Sequence, residues 1–105
     1  MLVSAMVRRV SAEGGNAVVV AKGDATSGSI LLICIERGVR TAFRERLLGS
    51  GERYEWAVVG PELEAEEQIV AAWLERRREH DPDLWIVELD IPNAQRFVAE
   101  TSGDG

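Results

Sequence analysis

Residues 29–37 read Ser-Ile-Leu-Leu-Ile-Cys-Ile-Glu-Arg, apolar at six consecutive positions from Ile30 to Ile35. A strand with apolar side chains on both sides belongs inside a sheet, covered on both faces. Upstream, Gly23-Asp24-Ala25-Thr26-Ser27-Gly28 is dense in turn formers and reads as a hairpin turn leading back to a valine-rich strand over 17–22. Downstream, Glu36-Arg37-Gly38 reverses the chain into 39–47. There Val39, Thr41, Phe43 and Leu47 point one way and Arg40, Ala42, Arg44 and Arg46 the other. Glu45 interrupts the first set, so the strand is expected to bulge or leave the sheet at that point. Gly49-Ser50-Gly51 turns the chain into a fourth strand over 54–59, and short turns of this kind imply an antiparallel meander.

The flanks have a different period. Leu2, Met6 and Val10 recur every four residues, so 2–12 reads as a helix, ended by Gly14-Gly15. Gly60-Pro61 closes the meander and opens a second helix over 62–79, with Leu63, Ile69, Val70, Trp73 and Leu74 on its apolar stripe. Asp81-Pro82 stops it, because proline disfavours helical geometry in the residue before it. A fifth strand over 84–91 puts Trp85, Val87, Leu89 and Ile91 on one face, and Arg96-Phe97-Val98 reads as a short edge strand. The expected fold is α+β in the order α-β-β-β-β-α-β. It has a largely antiparallel sheet and two helices packed on one face, and the helical crossover lets the last strand run parallel to a neighbour.

The chain has 105 residues, which suits a single domain over 1–100 and a flexible tail over 101–105. Apolar residues make up 46% and charged ones 29%, so the chain is neither disordered nor fibrous. Eighteen acids against twelve bases give a net charge of −6, a poor basis for binding nucleic acid or an anionic membrane. The apolar run is too short to span a bilayer, and Arg8-Arg9 interrupts the N-terminus before a signal sequence could form. One cysteine cannot form an internal disulfide, and a cytoplasmic protein is the simplest reading.

Few residues invite chemistry. Glu62, Glu64, Glu66 and Glu67 fall near the start of the second helix and Arg76, Arg77 and Arg78 near its end, where the helix dipole favours each sign. His80, the only histidine, stands at a helix end, where it can bond free carbonyls. Cys34 lies in the most apolar strand, where burial raises a thiol pKa. Neither a metal set nor a cofactor motif is present, and the glycine loop at 23–28 runs into a strand rather than a helix N-terminus. Arg40, Arg44 and Arg46 are harder to dismiss. Three cations on one side of one strand could hold an acidic partner or a phosphate. Cross-strand pairing with Glu36, Glu52 or Glu55 is the structural alternative, and it carries more weight.

Gly23-Asp24-Ala25 with Gly28 ahead of an apolar strand, the run Asp81-Pro82-Asp83-Leu84-Trp85-Ile86-Val87-Glu88, and an opening helix ending in Arg8-Arg9 resemble a family of small bacterial proteins classed as domain of unknown function 1491. The resemblance spans nearly the whole chain, and its most specific part is Asp81-Pro82-Asp83-Leu84-Trp85. It implies a compact α+β fold and brings no activity, substrate or catalytic residue with it. The family pattern has an aromatic residue where this chain has His80, which counts further against a catalytic His80.

Two helices on one face would leave apolar strand surface bare on the other, and symmetric association is the usual remedy. A homodimer or a protein-binding module is therefore the leading expectation. An acyl-coenzyme A transferase is the enzymatic alternative, by analogy with acetyltransferase topology. It is weakened by Pro61 and the glutamates at 62 and 64, where a pyrophosphate would have to sit. Nucleic-acid binding through the arginine strand is the third reading, and the net charge argues against it.

Overall fold

Strands β1 to β5 are Asn16–Ala21, Ile30–Glu36, Val39–Leu48, Tyr54–Val58 and Trp85–Asp90, and helices α1 to α3 are Leu2–Ala12, Glu67–His80 and Ala94–Thr101. They belong to a computed structural model of the chain, which describes residues 2–24, 28–48 and 54–101. Of the expected tail, 102–105 lie outside the described residues, and Thr101 closes α3. The α+β class and the order of the first seven elements are as expected, with α3 added.

The sheet is mixed, in the order β1-β5-β2-β3-β4. β2, β3 and β4 form the antiparallel meander. β5 runs parallel to β2 and antiparallel to β1, and so inserts between them. The segment after β1 is therefore not a hairpin turn. Trp85, Ile86 and Val87 are consecutive and buried, which demands an interior strand, whereas Val18, Val19 and Val20 of β1 stay exposed at an edge.

Both sheet faces are covered, which corrects the expectation of two helices on one side. Val3, Met6 and Val10 of α1 and Ala94, Phe97 and Val98 of α3 pack on Ile30, Leu32, Cys34, Val87 and Leu89. Val70, Trp73 and Leu74 of α2 pack on the opposite side, against Leu31, Ile33, Phe43 and Ile86. The alternating side chains of β2 thus enter two separate cores. A fully buried Leu, Ile or Phe contributes about 1.5–3 kcal/mol, so neither side could stay wet cheaply.

Residues 96–98 belong to α3, not to an edge strand. Ala94, Phe97 and Val98 are all buried at helical spacing, and Phe97 N–H donates to Asn93 O at 3.0 Å. Asn93, at φ 56°, makes the left-handed step that starts this turn.

The second helix begins at Glu67, later than Pro61 suggested. The carbonyls of Leu63 and Ala65 accept hydrogen bonds from Arg40 Nη2 at 2.9 and 3.3 Å, which holds 62–66 as a turn. Of the acidic residues expected on the first helical turns, only Glu67 is in the helix, with Glu66 as its N-cap.

Candidate functional site

A bulge divides the three arginines of β3. Cys34 pairs with Ala42 and Ile35 with Arg40, so Thr41 is the extra residue, and its hydroxyl donates to Cys34 O at 3.2 Å. Beyond the bulge the alternation is reset. Arg40 lies on the α2 side, with Nη1 3.2 Å from Glu67 Oε1 and its guanidinium 5.1 Å from the Phe43 ring centroid. Arg44 and Arg46 lie on the α1/α3 side, since Arg44 pairs with Leu32 and Arg46 with Trp56. The expected single arginine face is thus two separate features.

Arg44 Nη1 donates to Trp56 O at 3.1 Å, and the Arg46 guanidinium stands 3.8 Å from the Tyr54 ring centroid. Neither forms an ion pair among the described residues. Glu55, one of the expected partners, is opposite Leu47 and so points to the other side of the sheet. Glu52 lies outside the described residues. Among the described residues, three N–H groups in this neighbourhood, Arg44 Nε, Arg46 Nε and Trp56 Nε1, are buried with no hydrogen-bond partner.

Asp81, Pro82, Asp83 and Trp85 form a structural clasp. Asp81 caps α2, its N–H donating to Arg77 O at 2.9 Å, while its carbonyl and Oδ1 accept from the backbone N–H groups of Leu84 and Asp83 at 3.1 and 3.2 Å. Pro82 is exposed on the turn. Gly23, Asp24 and Gly28, after β1, lie against the start of β5. Asp24 N–H donates to Asp83 O at 3.1 Å, and the buried Trp85 indole donates to Asp24 O at 2.7 Å. A Cβ at Gly23 or Gly28 would run into the Asp83 carbonyl oxygen, so the close approach itself requires glycine. The two halves of the recognisable sequence pattern therefore meet in space, and a packing contact explains both.

Other ionisable groups do not converge. His80 Nδ1 lies 2.8 Å from Arg76 O, a helix-end contact. Burial pushes the Cys34 thiol up to about 11, partly opposed by the Arg44 charge, so at neutral pH the nucleophilic thiolate is almost absent. Among the described residues, no three His, Cys, Asp or Glu side chains are grouped as metal ligands would be. At the Gly60–Pro61 junction, a Cβ on Gly60 would come within 2.7 Å of the Trp73 ring, so glycine serves packing there. Among the described residues, no helix is long and apolar enough to cross a membrane.

The β1 edge offers main-chain groups instead. Trp85 N–H donates to Ser29 O and Ile91 N–H to Ile35 O, so alternate residues of β5 turn toward β2 and the others toward β1. Glu88 and Asp90 face Val18 and Asn16, which leaves the N–H and C=O of Ala17 and Val19 directed away from the sheet. Val18, Val19 and Val20 are 46%, 43% and 51% exposed. Beside this edge an open groove of about 560 Å³ runs between Val20, Ile35 and Glu88 and the α2 residues Glu67 and Leu74.

These features define a small α+β protein with a mixed five-stranded sheet between helical layers, offering an apolar strand edge and two arginines that form no ion pair among the described residues. A family model described as "Protein of unknown function (DUF1491)" matches residues 1–99, and the chain belongs to that family. No curated protein matches. The fold is similar to a DUF1491 family protein from Caulobacter crescentus CB15. Its NMR structure aligns at 27% identity and TM-score 0.74, over 92% of this chain and 87% of that one. Its crystal structure aligns at 28% and 0.75, over 90% and 88%. The solution structure of protein Atu0922 from A. tumefaciens is 32% identical at TM-score 0.70, over 93% and 88%.

Proposed function

We propose that this protein is a non-enzymatic association module that pairs with a second copy of itself through β1. The carrying observation is the edge formed by Ala17, Val18 and Val19. It is uncharged from Asn16 to Ala21, apolar on both sides, and has outward backbone groups at alternate residues. Soluble proteins usually blunt such an edge with charge or proline, and here only a bulge after Val19 interrupts it.

A second β1 fits this edge in antiparallel register. Ala17 of each copy exchanges hydrogen bonds with Val19 of the other, and the twofold axis passes beside Val18. The pairing joins an end flanked by Glu13 to one flanked by Lys22, and a strand without charge lets two acidic chains meet. It also carries the Val18 side chains over the groove beside Val20. A reducing cytoplasmic setting suits a fold whose only cysteine is a buried free thiol.

Light scattering behind a sizing column tests this at tens of micromolar. The expected species has twice the 11.5 kDa protomer mass, and V18K, which sets like charges across the axis, shifts it to one protomer. A wild-type chain that elutes as a single protomer overturns the proposal, as does a V18K variant that remains paired.

A further inference from the structure

We propose that the β3–β4 surface on the α1/α3 side binds a phosphate-type dianion, held by the guanidinium groups of Arg44 and Arg46 and the indole N–H of Trp56. The site is independent of the β1 edge, which lies at the opposite side of the sheet.

Register brings the three side chains together. Arg44 and Arg46 are two residues apart on one strand and share a face, about 7 Å from each other along it. Trp56 is directly opposite Arg46. Trp56 is 8% exposed, yet among the described residues its Nε1 has no acceptor, and the Nε atoms of Arg44 and Arg46 are likewise buried and unpartnered. Native structures rarely bury several donors side by side without an acceptor for them. Arg40 also has an unpartnered Nε, but its two Nη atoms are already engaged by Glu67, Leu63 and Ala65.

Charge points the same way. Within a chain of net charge −6, Arg9, Arg40 and Arg77 each pair with a glutamate. Arg44 and Arg46 form no ion pair among the described residues, although acids outnumber bases. Both are also held in place. Arg44 is anchored on Trp56 O, and Arg46 is stacked on Tyr54, which lowers the ordering cost of gripping a ligand. Guanidinium forks match the oxygens of a phosphoryl group, two cations balance two negative charges, and the neutral indole adds a further donor.

The test is a 15N-detected titration of the full chain with inorganic phosphate at low ionic strength, with chloride as the matched control. The Trp56 indole and the Arg44 and Arg46 Nε–H resonances should move saturably. The Trp85 indole, already bonded to Asp24 O, should stay in place. R44Q and R46Q should each weaken binding about tenfold or more, since a charge-assisted hydrogen bond is worth at least one decade of affinity. W56F should weaken it less. Sulfate should compete and acetate should bind far more weakly. A linear drift equal to that in chloride overturns the site, and acetate binding as tightly as phosphate overturns the dianion. The wild-type titration stands even if a variant fails to fold.

Discussion

Arg77 of α2 grips Glu45 of β3 through both carboxylate oxygens, at 2.6 and 2.9 Å. Glu45 is the residue that interrupts the apolar alternation of its strand, and the interruption is an anchor. β3 does not leave the sheet there, because Glu45 stays paired with both Leu31 and Ala57. The pair fastens the C-terminal half of α2 to the sheet, a half that has no fully buried side chain of its own, Val70 lying in the first turn. Hydrogen bonding to Glu45 raises the Arg77 pKa, so the guanidinium remains charged throughout the working range.

Replacing Glu45 by Gln should therefore cost about 2 kcal/mol, the scale of a charge-assisted hydrogen-bonded pair that is only partly exposed. Urea denaturation of E45Q, R77M and the double variant would measure it. The double variant should be less destabilised than the two singles added together, because each single leaves the other group unpaired.

Gly23→Ala and Gly28→Ala should each destabilise by about 2–3 kcal/mol, the scale of overpacking against groups that cannot yield. The obstacle at both positions is the backbone carbonyl of Asp83, not a side-chain tip. The Trp85 indole resonance should shift in both variants, since the displaced loop carries its acceptor, Asp24 O. Unchanged stability with an unmoved indole would show that the clasp is slack.

Arg40→Gln should loosen the turn ahead of α2 without unfolding the domain. Its guanidinium holds the carbonyls of Leu63 and Ala65 and the Glu67 carboxylate. Amide exchange should accelerate near 62–67 and stay slow at the buried Val70, with a global cost of about 1 kcal/mol. Uniform acceleration along α2 would contradict this division.

Sequence periodicity located most elements because their burial is regular. α1 is marked by Met6 and Val10, and β2 by its unbroken apolar run. What could not be read were the non-local choices. β5 displaces β1 to the edge because Trp85, Ile86 and Val87 need cover on both faces. Nothing local to β1 announces that, because its valines suit an interior strand equally well. The Thr41 bulge moves Arg40 to the opposite face from Arg44 and Arg46, and a register shift of one residue leaves no compositional trace. α3 was legible in principle, since Ala94, Phe97 and Val98 are spaced as one helix face. The short run Arg96-Phe97-Val98, taken by itself, suits a strand. The unpartnered donors around Trp56 depend on which face each arginine takes, so only the fold exposes them.

Cys34 gives the pH-dependent prediction. Its side chain is fully buried between Leu32 on its own strand and the packing helices, and the thiol pKa rises from 9.0 to about 11. The native state therefore keeps the proton over a range in which the unfolded chain has already released it. Between pH 9 and 11 the native state binds more protons than the unfolded one, so stability falls as pH rises. Two pKa units correspond to a loss of about 2–3 kcal/mol by the top of that window, with no contribution below pH 9. Urea midpoints measured at pH 8 and at pH 10.5 should drop in the wild type, while C34V, which fills similar volume without a titrating group, should lose less over the same interval. At pH 7.5 the native thiol should resist iodoacetamide until the chain is unfolded. Rapid alkylation of folded protein, or parallel pH profiles for the wild type and C34V, would mean that this thiol is neither shielded nor perturbed.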